Sequence, residues 1–190
     1  MQLIKVHEKL LELARLTTYS DGQRTPILYM ALVMMIQPTI AVEIGSFRGF
    51  SACCWAAGMR EVGRGHLWSI EKNKKFTEIA KENIRALGLG KYVTMINGDG
   101  AGTITKTTKL QGMDFLFIDG DHNEEAVAKD ITDTFRFVRP GGYILCHDFD
   151  TKYTQSGINR AFDEIEHSGH RIERMQFNVF AGGLLVRRVS

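Results

Sequence analysis

Cysteine is scarce in this sequence of 190 residues. Its three cysteines, Cys53, Cys54 and Cys146, cannot all pair within one chain. The C-x-x-C spacing is missing, which argues against a structural zinc site. Cys53 and Cys54 are adjacent in an apolar stretch, so we expect them to be small buried residues in a reducing compartment. The sequence therefore favours a cytoplasmic protein over a disulfide scaffold.

Long apolar runs and an excess of one charge are lacking as well. The longest apolar run, Ile27 to Ile36, is too short for a bilayer span, which takes about 20 residues, and we expect no membrane partner. Lys plus Arg is 24 and Asp plus Glu is 22, which gives a formal charge of +2. This balance does not demand nucleic acid as a partner.

Basic residues do cluster in places, but no aromatic residues are interleaved with them, as the binding of single strands needs. The clustered residues are Lys72, Lys74, Lys75, Lys106, Lys109, Arg187 and Arg188. We interpret them as a solvated helix face and a strand end, so nucleic acid is not the expected partner.

Strands and helices alternate from Ile40 onward. Short apolar runs predict strands at IAVEIG, HLWSIE, YVTMING, MDFLFIDG and YILCHD. Helical segments separate them, and one of these is predicted to continue to Pro140. After the fifth strand, the polar stretch from Asp150 to Ser156 is predicted to be a loop that precedes a further helix. The tail RMQFNVFAGGLLVRRV predicts two strands joined near Gly182. We therefore expect an α/β fold: a Rossmann-like, doubly wound, mixed seven-stranded sheet with helices on both faces and a C-terminal antiparallel hairpin.

An acidic residue lies at or near the end of each of the five predicted core strands: Glu43, Glu71, Asp99, Asp119 and Asp148. Turn chemistry explains one or two such residues, because Asp and Gly favour turns, but five in register are harder to explain that way. Ligands bind outside the carboxyl ends of the strands in such sheets. The sequence therefore predicts a site at that edge.

A phosphate-binding loop is missing from the end of the first strand. Gly45 matches the first glycine of the dinucleotide fingerprint, but Phe47 and Phe50 stand where the other two should be. We expect a nucleoside ligand without phosphates. Glu71 could accept hydrogen bonds from ribose hydroxyls, and Asp99 could accept one from an adenine amino group. The alternative for Glu71 is an exposed glutamate at the start of a helix, and for Asp99 an aspartate of a simple turn.

The order and spacing of five segments resemble a class I S-adenosylmethionine-dependent methyltransferase. These segments are AVEIGSFRGFS, SIEKN, INGDG, FLFIDGDH and RPGGYILCHD. The resemblance covers residues 39–166 and, more weakly, the C-terminal hairpin. It is closest to small O-methyltransferases of the catechol O-methyltransferase type, and related sugar O-methyltransferases share the D-G-D-H and H-D endings. It implies methyl transfer from S-adenosylmethionine to a hydroxyl of a small-molecule acceptor.

The resemblance also assigns roles to residues of the strand ends. The loop from Gly45 to Gly49 lies under the methionine part of the cofactor, and Glu43 and Asp119 add negative potential near the sulfonium and the amino group. The implied cofactor-binding residues are Glu43, Gly45, Ser46, Phe47, Gly49, Glu71, Gly98, Asp99, Gly100 and Asp119.

Metal-dependent members of the family bind a divalent ion at positions that match Asp119 and Asp148. Phe149 stands where the catechol-type enzymes have an Asn ligand, and His147 stands where some sugar methyltransferases have an acidic residue. A site of Asp119, His147 and Asp148 would suit Mn²⁺, Fe²⁺ or Zn²⁺ at least as well as Mg²⁺; the alternative is that His147 only hydrogen-bonds a neighbour. His122 matches the general base, and Asp119 with a bound metal would position the acceptor, so these two are the expected catalytic residues. The alternative for His122 is a helix cap or a surface hydrogen bond.

One domain of residues 1–190 is expected. Residues 1–38 are predicted to form an amphipathic helix from Leu3 to Leu16, a loop from Thr17 to Arg24 and a second helix from Pro26 to about Gln37. We expect these N-terminal helices on the acceptor side or at an oligomer contact, and residues 39–190 to form the cofactor-binding core. We expect a homodimer, because a small catalytic domain without a lid often completes its site through a neighbour. Three alternatives stay open: a non-catalytic interaction module of the same fold, a nucleic-acid methyltransferase, and a relative resembling cephalosporin hydroxylase.

Overall fold

The computed structural model describes residues 25–177 and 182–190. The predicted amphipathic helix from Leu3 to Leu16 and the predicted loop from Thr17 to Arg24 lie outside the described residues, as does most of the hairpin turn at 178–181. The predicted helix from Pro26 to Gln37 is confirmed, since α1 spans Thr25–Ile36.

Seven strands and six α-helices lie within the described residues, and they alternate through the first five strands as predicted. In chain order they are α1 (Thr25–Ile36), β1 (Ile40–Ile44), α2 (Phe50–Val62), β2 (His66–Glu71), α3 (Lys74–Ala86), β3 (Val93–Asn97), α4 (Gly100–Lys106), β4 (Met113–Ile118), α5 (Glu124–Thr134), β5 (Val138–His147), α6 (Lys152–His167), β6 (Ile172–Phe177) and β7 (Gly183–Arg188).

The strands form one mixed sheet in the order β3-β2-β1-β4-β5-β7-β6. The first five strands are parallel to their neighbours. β7 is antiparallel to both β5 and β6. The predicted doubly wound α/β fold with a closing antiparallel hairpin is therefore confirmed.

Side chains alternate along the strands and build one apolar layer on each face of the sheet. Ala41 packs with α1, α2 and α3 on one face. Val42 and Ile44 pack with α4, α5 and α6 on the other. Cys53 and Cys54 on α2 are buried and free, as predicted, and Cys146 on β5 is also buried and free.

Two predicted boundaries are wrong. The helix expected to continue to Pro140 ends at Thr134, because Val138 already pairs with Met113 of β4 and begins β5. Residues 150–156 were expected to form a polar loop, yet α6 begins at Lys152. Thr154 anchors this first turn, since its hydroxyl donates to the carbonyl of His122 at 3.2 Å.

The loops after β1 and β4 touch at the carboxyl end of the sheet. Gly45 has a φ of +84°, and a Cβ there would lie 2.1 Å from the carbonyl oxygen of Asp119. A side chain is therefore excluded at this contact, which holds the two loops of the predicted site together. Among the described helices, none has the length and apolar character to span a bilayer.

Candidate functional site

A cavity of about 660 Å³ lies at the carboxyl ends of β1 to β4. Its walls come from the loops that follow these strands and from one face of α5. This volume is in the range of sites for ligands of nucleoside size or larger. The predicted edge of the sheet therefore carries a cavity of the expected kind.

The cavity lining carries six carboxyl groups and three basic side chains. These are Glu71, Asp99, Asp119, Asp121, Asp130 and Asp133 against Arg48, Lys72 and Lys129. An excess of carboxylates suits a cationic ligand and disfavours a phosphate group. This balance agrees with the prediction from the sequence that the ligand lacks phosphates.

Glu71 ends β2 and is 7% exposed. Its Oε2 accepts a hydrogen bond from the backbone N–H of Phe47 at 2.9 Å, and its Oε1 accepts one from the N–H of Asn73 at 2.7 Å. Two fixed donors hold the carboxylate in one orientation, and each oxygen keeps a lone pair for a further donor. Glu71 is therefore ready to accept from ligand hydroxyls.

The loop from Gly45 to Gly49 wraps one end of the cavity. Gly49 must be a glycine, because its φ is +85° and a Cβ would lie 2.7 Å from the Cβ of Ala80 on α3. Phe47 has a φ of 48°, a conformation rare for a bulky residue, and its ring meets the ring of Phe76 edge-on at 4.3 Å.

Ser46 lies in the same loop and is 4% exposed. Its hydroxyl oxygen has no hydrogen-bond partner among the described residues. A buried hydroxyl of this kind costs free energy unless a ligand supplies the partner. Ser46 also lines the cavity, so its hydroxyl marks a polar contact for the bound molecule.

The segment from Gly98 to Gly100 lines the cavity beside β3. Asp99 caps α4, and its Oδ2 accepts from the backbone N–H of Gly102 at 3.2 Å. A Cβ on Gly100 would lie 2.5 Å from Cγ2 of Ile44, so this residue has no room for a side chain. Asp99 both caps the helix and borders the cavity.

Four predicted site residues do not line the cavity: Glu43, Gly49, His147 and Asp148. The side chain of Glu43 is the most deeply buried of them. It is wholly buried, and Ser69 Oγ donates to its Oε2 at 2.5 Å. Burial raises the pKa of Glu43 to about 7, against hydrogen bonds from Ser51 and Ser69. The reason is side-chain alternation: Glu43 points, like Ala41, into the layer beneath α2, so it lies behind the cavity wall.

Asp119, His122 and Asp148 come together at the ends of β4 and β5. Each offers one ligand atom, and these atoms all lie within 4.8 Å of one another. His122 Nδ1 lies 2.8 Å from Asp148 Oδ2. Because a carboxylate only accepts, Nδ1 carries the hydrogen, which leaves Nε2 as the basic nitrogen.

Asp148 is held between two histidines. Its Oδ2 faces His122 and its Oδ1 lies 2.9 Å from His147 Nδ1. Partial burial alone would raise the pKa of Asp148, but the hydrogen bonds from His122 and His147 outweigh it and hold the pKa well below the usual value. The carboxyl is therefore ionised at neutral pH. Its φ of 54° is uncommon outside glycine and is typical of strained functional positions.

The sequence predicts His147 as the third ligand beside Asp119 and Asp148. The structure brings His122 together with these two carboxylates instead. His147 is the last residue of β5, and its ring faces Phe117 in the layer under α1 and α2. Its Nδ1 lies 3.4 Å from Asp119 Oδ1 as well as near Asp148. His147 thus stands behind the two carboxylates and orients them.

The three converging residues fit a divalent ion. They offer one imidazole nitrogen and two carboxylate oxygens, a donor set that suits Mn²⁺, Fe²⁺ or Zn²⁺. Phe149 occupies the position at which the resemblance implies an Asn ligand. Its side chain is buried in the core and does not contribute to the site.

Helix α5 contributes cavity residues that the sequence does not predict. Lys129, Asp130 and Asp133 line the cavity from this helix. These three residues lie one, three and four positions from one another in sequence, as residues on the polar face of any amphipathic helix do. No local signal distinguishes a cavity-facing polar residue on a helix from a solvent-facing one.

Four of the seven basic residues that cluster in sequence, Lys72, Lys109, Arg187 and Arg188, have local contacts. Lys72 pairs with Asp121 at 3.7 Å, and Lys109 lies over the ring of Trp68 at 5.7 Å. Arg188 donates to the carbonyl oxygen of Val138 at 2.6 Å. These contacts agree with the interpretation of solvated faces.

Comparison with known proteins identifies the family. The profile of a family described as a methyltransferase domain matches residues 42–149, more than half of the chain. Among curated proteins, a putative O-methyltransferase of Mycobacterium sp. (strain JLS) is 30% identical over 121 residues. That match covers 63% of this chain and 53% of the relative, so the chain spans about half the length of this relative.

Solved structures share the fold. The O-methyltransferase from Bacillus cereus in complex with SAH has a TM-score of 0.75 at 19% identity, covering 97% of this chain and 90% of that one. TomG from Streptomyces achromogenes, an O-methyltransferase involved in tomaymycin synthesis and solved with SAM, has a TM-score of 0.76 at 19% identity, with 97% and 90% covered.

Proposed function

Because the chain belongs to the methyltransferase-domain family, we propose that it is an S-adenosylmethionine-dependent methyltransferase acting on a hydroxyl of a small-molecule acceptor. One observation carries the proposal: Glu71 is held by two backbone N–H groups at the wall of a cavity of about 660 Å³. The curated relative and the two solved structures named above are O-methyltransferases, and this supports the choice of a hydroxyl acceptor.

Residues at the strand ends would bind and orient the cofactor. Glu71 accepts from the ribose hydroxyls, since its orientation is fixed by Phe47 and Asn73. The buried hydroxyl of Ser46 donates to the carboxylate of the methionine part, which satisfies its missing hydrogen bond. Asp119 would add negative potential at the sulfonium end of the cofactor and so favour binding of the cation.

His122 is the general base. Its Nδ1–H donates to Asp148, so its Nε2 takes the proton of the acceptor hydroxyl. The hydroxyl oxygen then forms a bond to the methyl carbon, and the carbon–sulfur bond breaks with its electron pair on sulfur. The ionised carboxyl of Asp148 stabilises the resulting imidazolium, and the rest of the rate comes from alignment.

A divalent ion fits the same cluster. Asp119, His122 and Asp148 would hold it, and His122 would then be a ligand in place of the base. Such an ion would lower the pKa of a bound acceptor hydroxyl and fix its orientation. Asp148 serves in either case, as a ligand or as the partner of His122.

For domain organisation, compartment and oligomeric state, we propose one catalytic domain of residues 1–190 that works in the cytoplasm as a homodimer. The buried free cysteines support a reducing compartment. The exposed apolar side chains of α1, Ile27 at 56% and Met35 at 80%, support an oligomer contact.

A transfer assay tests the function. The full chain is incubated with methyl-labelled S-adenosylmethionine and a panel of catechols, phenols and sugars, with and without Mn²⁺. We expect label in at least one hydroxyl acceptor and a loss of that label with His122→Gln. Tight cofactor binding without transfer to any acceptor would favour a non-catalytic module of the same fold.

A further inference from the structure

Lys72 and Asp121 form an ion pair between two loops of the cavity wall. Lys72 Nζ lies 3.7 Å from Asp121 Oδ2. Lys72 follows β2, Asp121 belongs to the loop after β4, and both residues line the cavity. β1 lies between these two strands in the sheet. With about 4.8 Å between neighbouring strands, the pair bridges two walls that are about 10 Å apart.

The ion pair lies on the solvent side of the cavity. The side chains of Lys72 and Asp121 are 74% and 50% exposed. Glu71, which directly precedes Lys72, is 7% exposed and lies deeper in the same wall. Gly45 follows β1 between the two walls and lines the cavity without a side chain. The space between the walls is therefore bounded by Gly45 towards the sheet and by the ion pair towards solvent.

Both ends of the ion pair are anchored within their own loops. Asp121 Oδ1 accepts a hydrogen bond from the backbone N–H of Asn123 at 3.0 Å, while its Oδ2 faces Lys72. The carbonyl oxygen of Lys72 accepts one from Asn97 Nδ2 at 3.2 Å. Asn73 and Asn123 cap α3 and α5, so a helix holds the backbone at each end. Breaking the contact therefore needs rotation of side chains alone.

A ligand that reaches from Glu71 to Asp119 passes beneath this pair. Glu71 ends β2 and Asp119 follows β4, so such a ligand crosses the end of β1, over which the pair lies. Under the proposed function the cofactor is a ligand of this kind, because its ribose meets Glu71 and its sulfonium end lies near Asp119. The pair must therefore open when the cofactor enters or leaves across the mouth of the cavity.

We propose that Lys72 and Asp121 form a strap across the mouth of the cavity, which opens to admit the cofactor and closes over it. This inference rests on the proposed function, because it concerns the exchange of the same cofactor. The strap is closed before and after binding and must open in between. It therefore slows entry and release alike and leaves the dissociation constant nearly unchanged. Since both side chains are exposed, each rate changes by only a small factor.

The exchange kinetics of S-adenosylhomocysteine on the full chain test the strap, with surface plasmon resonance at low temperature as the measurement. We expect Lys72→Gln to raise the association and dissociation rate constants by about threefold each, with the dissociation constant within about twofold of the wild type. S-adenosylhomocysteine carries no net charge at neutral pH, so altered long-range steering adds little. Lys81→Gln is the matched control, since it breaks a surface pair with Glu78 outside the cavity lining and keeps the wild-type rates.

The second residue of the strap gives an independent test. Asp121→Asn keeps an oxygen that accepts from Asn123 and removes the charge, so it raises both rate constants as Lys72→Gln does. The double variant is no faster than either single variant, because the two residues act through one contact. Raising the ionic strength from about 0.05 M to about 0.5 M speeds exchange in the wild type and not in the double variant.

The outcomes separate the strap from the proposed function. Wild-type rate constants in Lys72→Gln and Asp121→Asn would overturn the strap, while the cofactor proposal stands. If dissociation alone becomes faster, Lys72 contacts the ligand directly, and the strap is overturned as well. If the wild type does not bind S-adenosylhomocysteine, the proposed function fails and the inference fails with it.

Discussion

His122 Nδ1 lies 2.8 Å from Asp148 Oδ2, and this contact joins the loop after β4 to the end of β5. The hydrogen bond raises the pKa of His122 above its usual value, against partial burial. It also fixes the tautomer whose Nε2 is basic. The contact therefore makes one imidazole both a stronger base and a better-oriented one.

The first prediction concerns this base. His122→Gln removes the proton acceptor and leaves the ribose and methionine contacts intact. We expect kcat to fall by about 100-fold while the dissociation constant for S-adenosylhomocysteine changes by less than about twofold. His167→Gln, at the exposed end of α6, is the control. Wild-type turnover in His122→Gln would remove the base assignment.

The second prediction concerns the ion. We expect Mn²⁺ to bind the wild type and Asp148→Asn to weaken that binding by at least about tenfold, because a charged ligand becomes neutral. Asp163→Asn, which alters a surface pair with Arg174 outside the cluster, leaves the affinity unchanged. Electron paramagnetic resonance of the free Mn²⁺ measures the Mn²⁺ affinity of the wild type and of each variant. Equal Mn²⁺ affinity in the wild type and Asp148→Asn would contradict a metal site here.

The third prediction concerns the buried carboxyl of Glu43. Burial raises its pKa in the folded state to about 7 from the ordinary value of 4.5. The folded state therefore holds a proton that the unfolded state releases, so this group lowers stability as pH rises from about 4.5 to about 7. Below that window both states are protonated and the penalty is absent.

Glu43→Gln removes this penalty. The variant should therefore be stabilised relative to the wild type, and its gain in the free energy of unfolding should be about 2–3 kcal/mol larger at pH 8 than at pH 5. Urea unfolding at the two pH values measures the difference, with the exposed Glu78→Gln as the control. A difference that does not depend on pH would show that Glu43 ionises normally.

The fourth prediction concerns Gly45. Its Cβ position overlaps the backbone of Asp119 and its φ is +84°, so Gly45→Ala must displace the loop after β1. We expect a loss of more than about 3 kcal/mol of stability together with loss of cofactor binding. Gly88→Ala, with a φ of +66° and nothing within 4 Å of its Cβ, costs about 1–2 kcal/mol. Equal melting temperatures for the two variants would contradict this account.

The sequence predicts the order of elements well because its signals are local. β2 was predicted within its observed bounds, His66–Glu71, since a short apolar run ends at a charged helix start. The end of α5 was missed because pairing of Val138 with Met113, a contact between distant residues, decides where β5 begins. The start of α6 was missed for a similar reason, since Thr154 is anchored on the loop of His122.

The site was predictable where topology brings strand ends together. Asp119 and Asp148 follow neighbouring parallel strands, so their convergence follows from the strand order. The direction of a side chain at a strand end was harder to predict, because alternation sends Glu43 behind the cavity wall. The position of Asp130 was not predictable. Packing between helices brings its carboxyl to Ala101, and no sequence motif indicates this contact.

The measurement that tests the central claim most directly is a calorimetric titration of S-adenosylmethionine into the wild type, Glu71→Ala and Glu78→Ala. Glu78 is an exposed glutamate of α3 and serves as the matched control. We predict binding by the wild type and by Glu78→Ala, and an affinity at least about tenfold lower for Glu71→Ala, because the ribose loses a charged acceptor. No binding by the wild type, or equal affinity in all three proteins, would contradict the account of this cavity as the cofactor site.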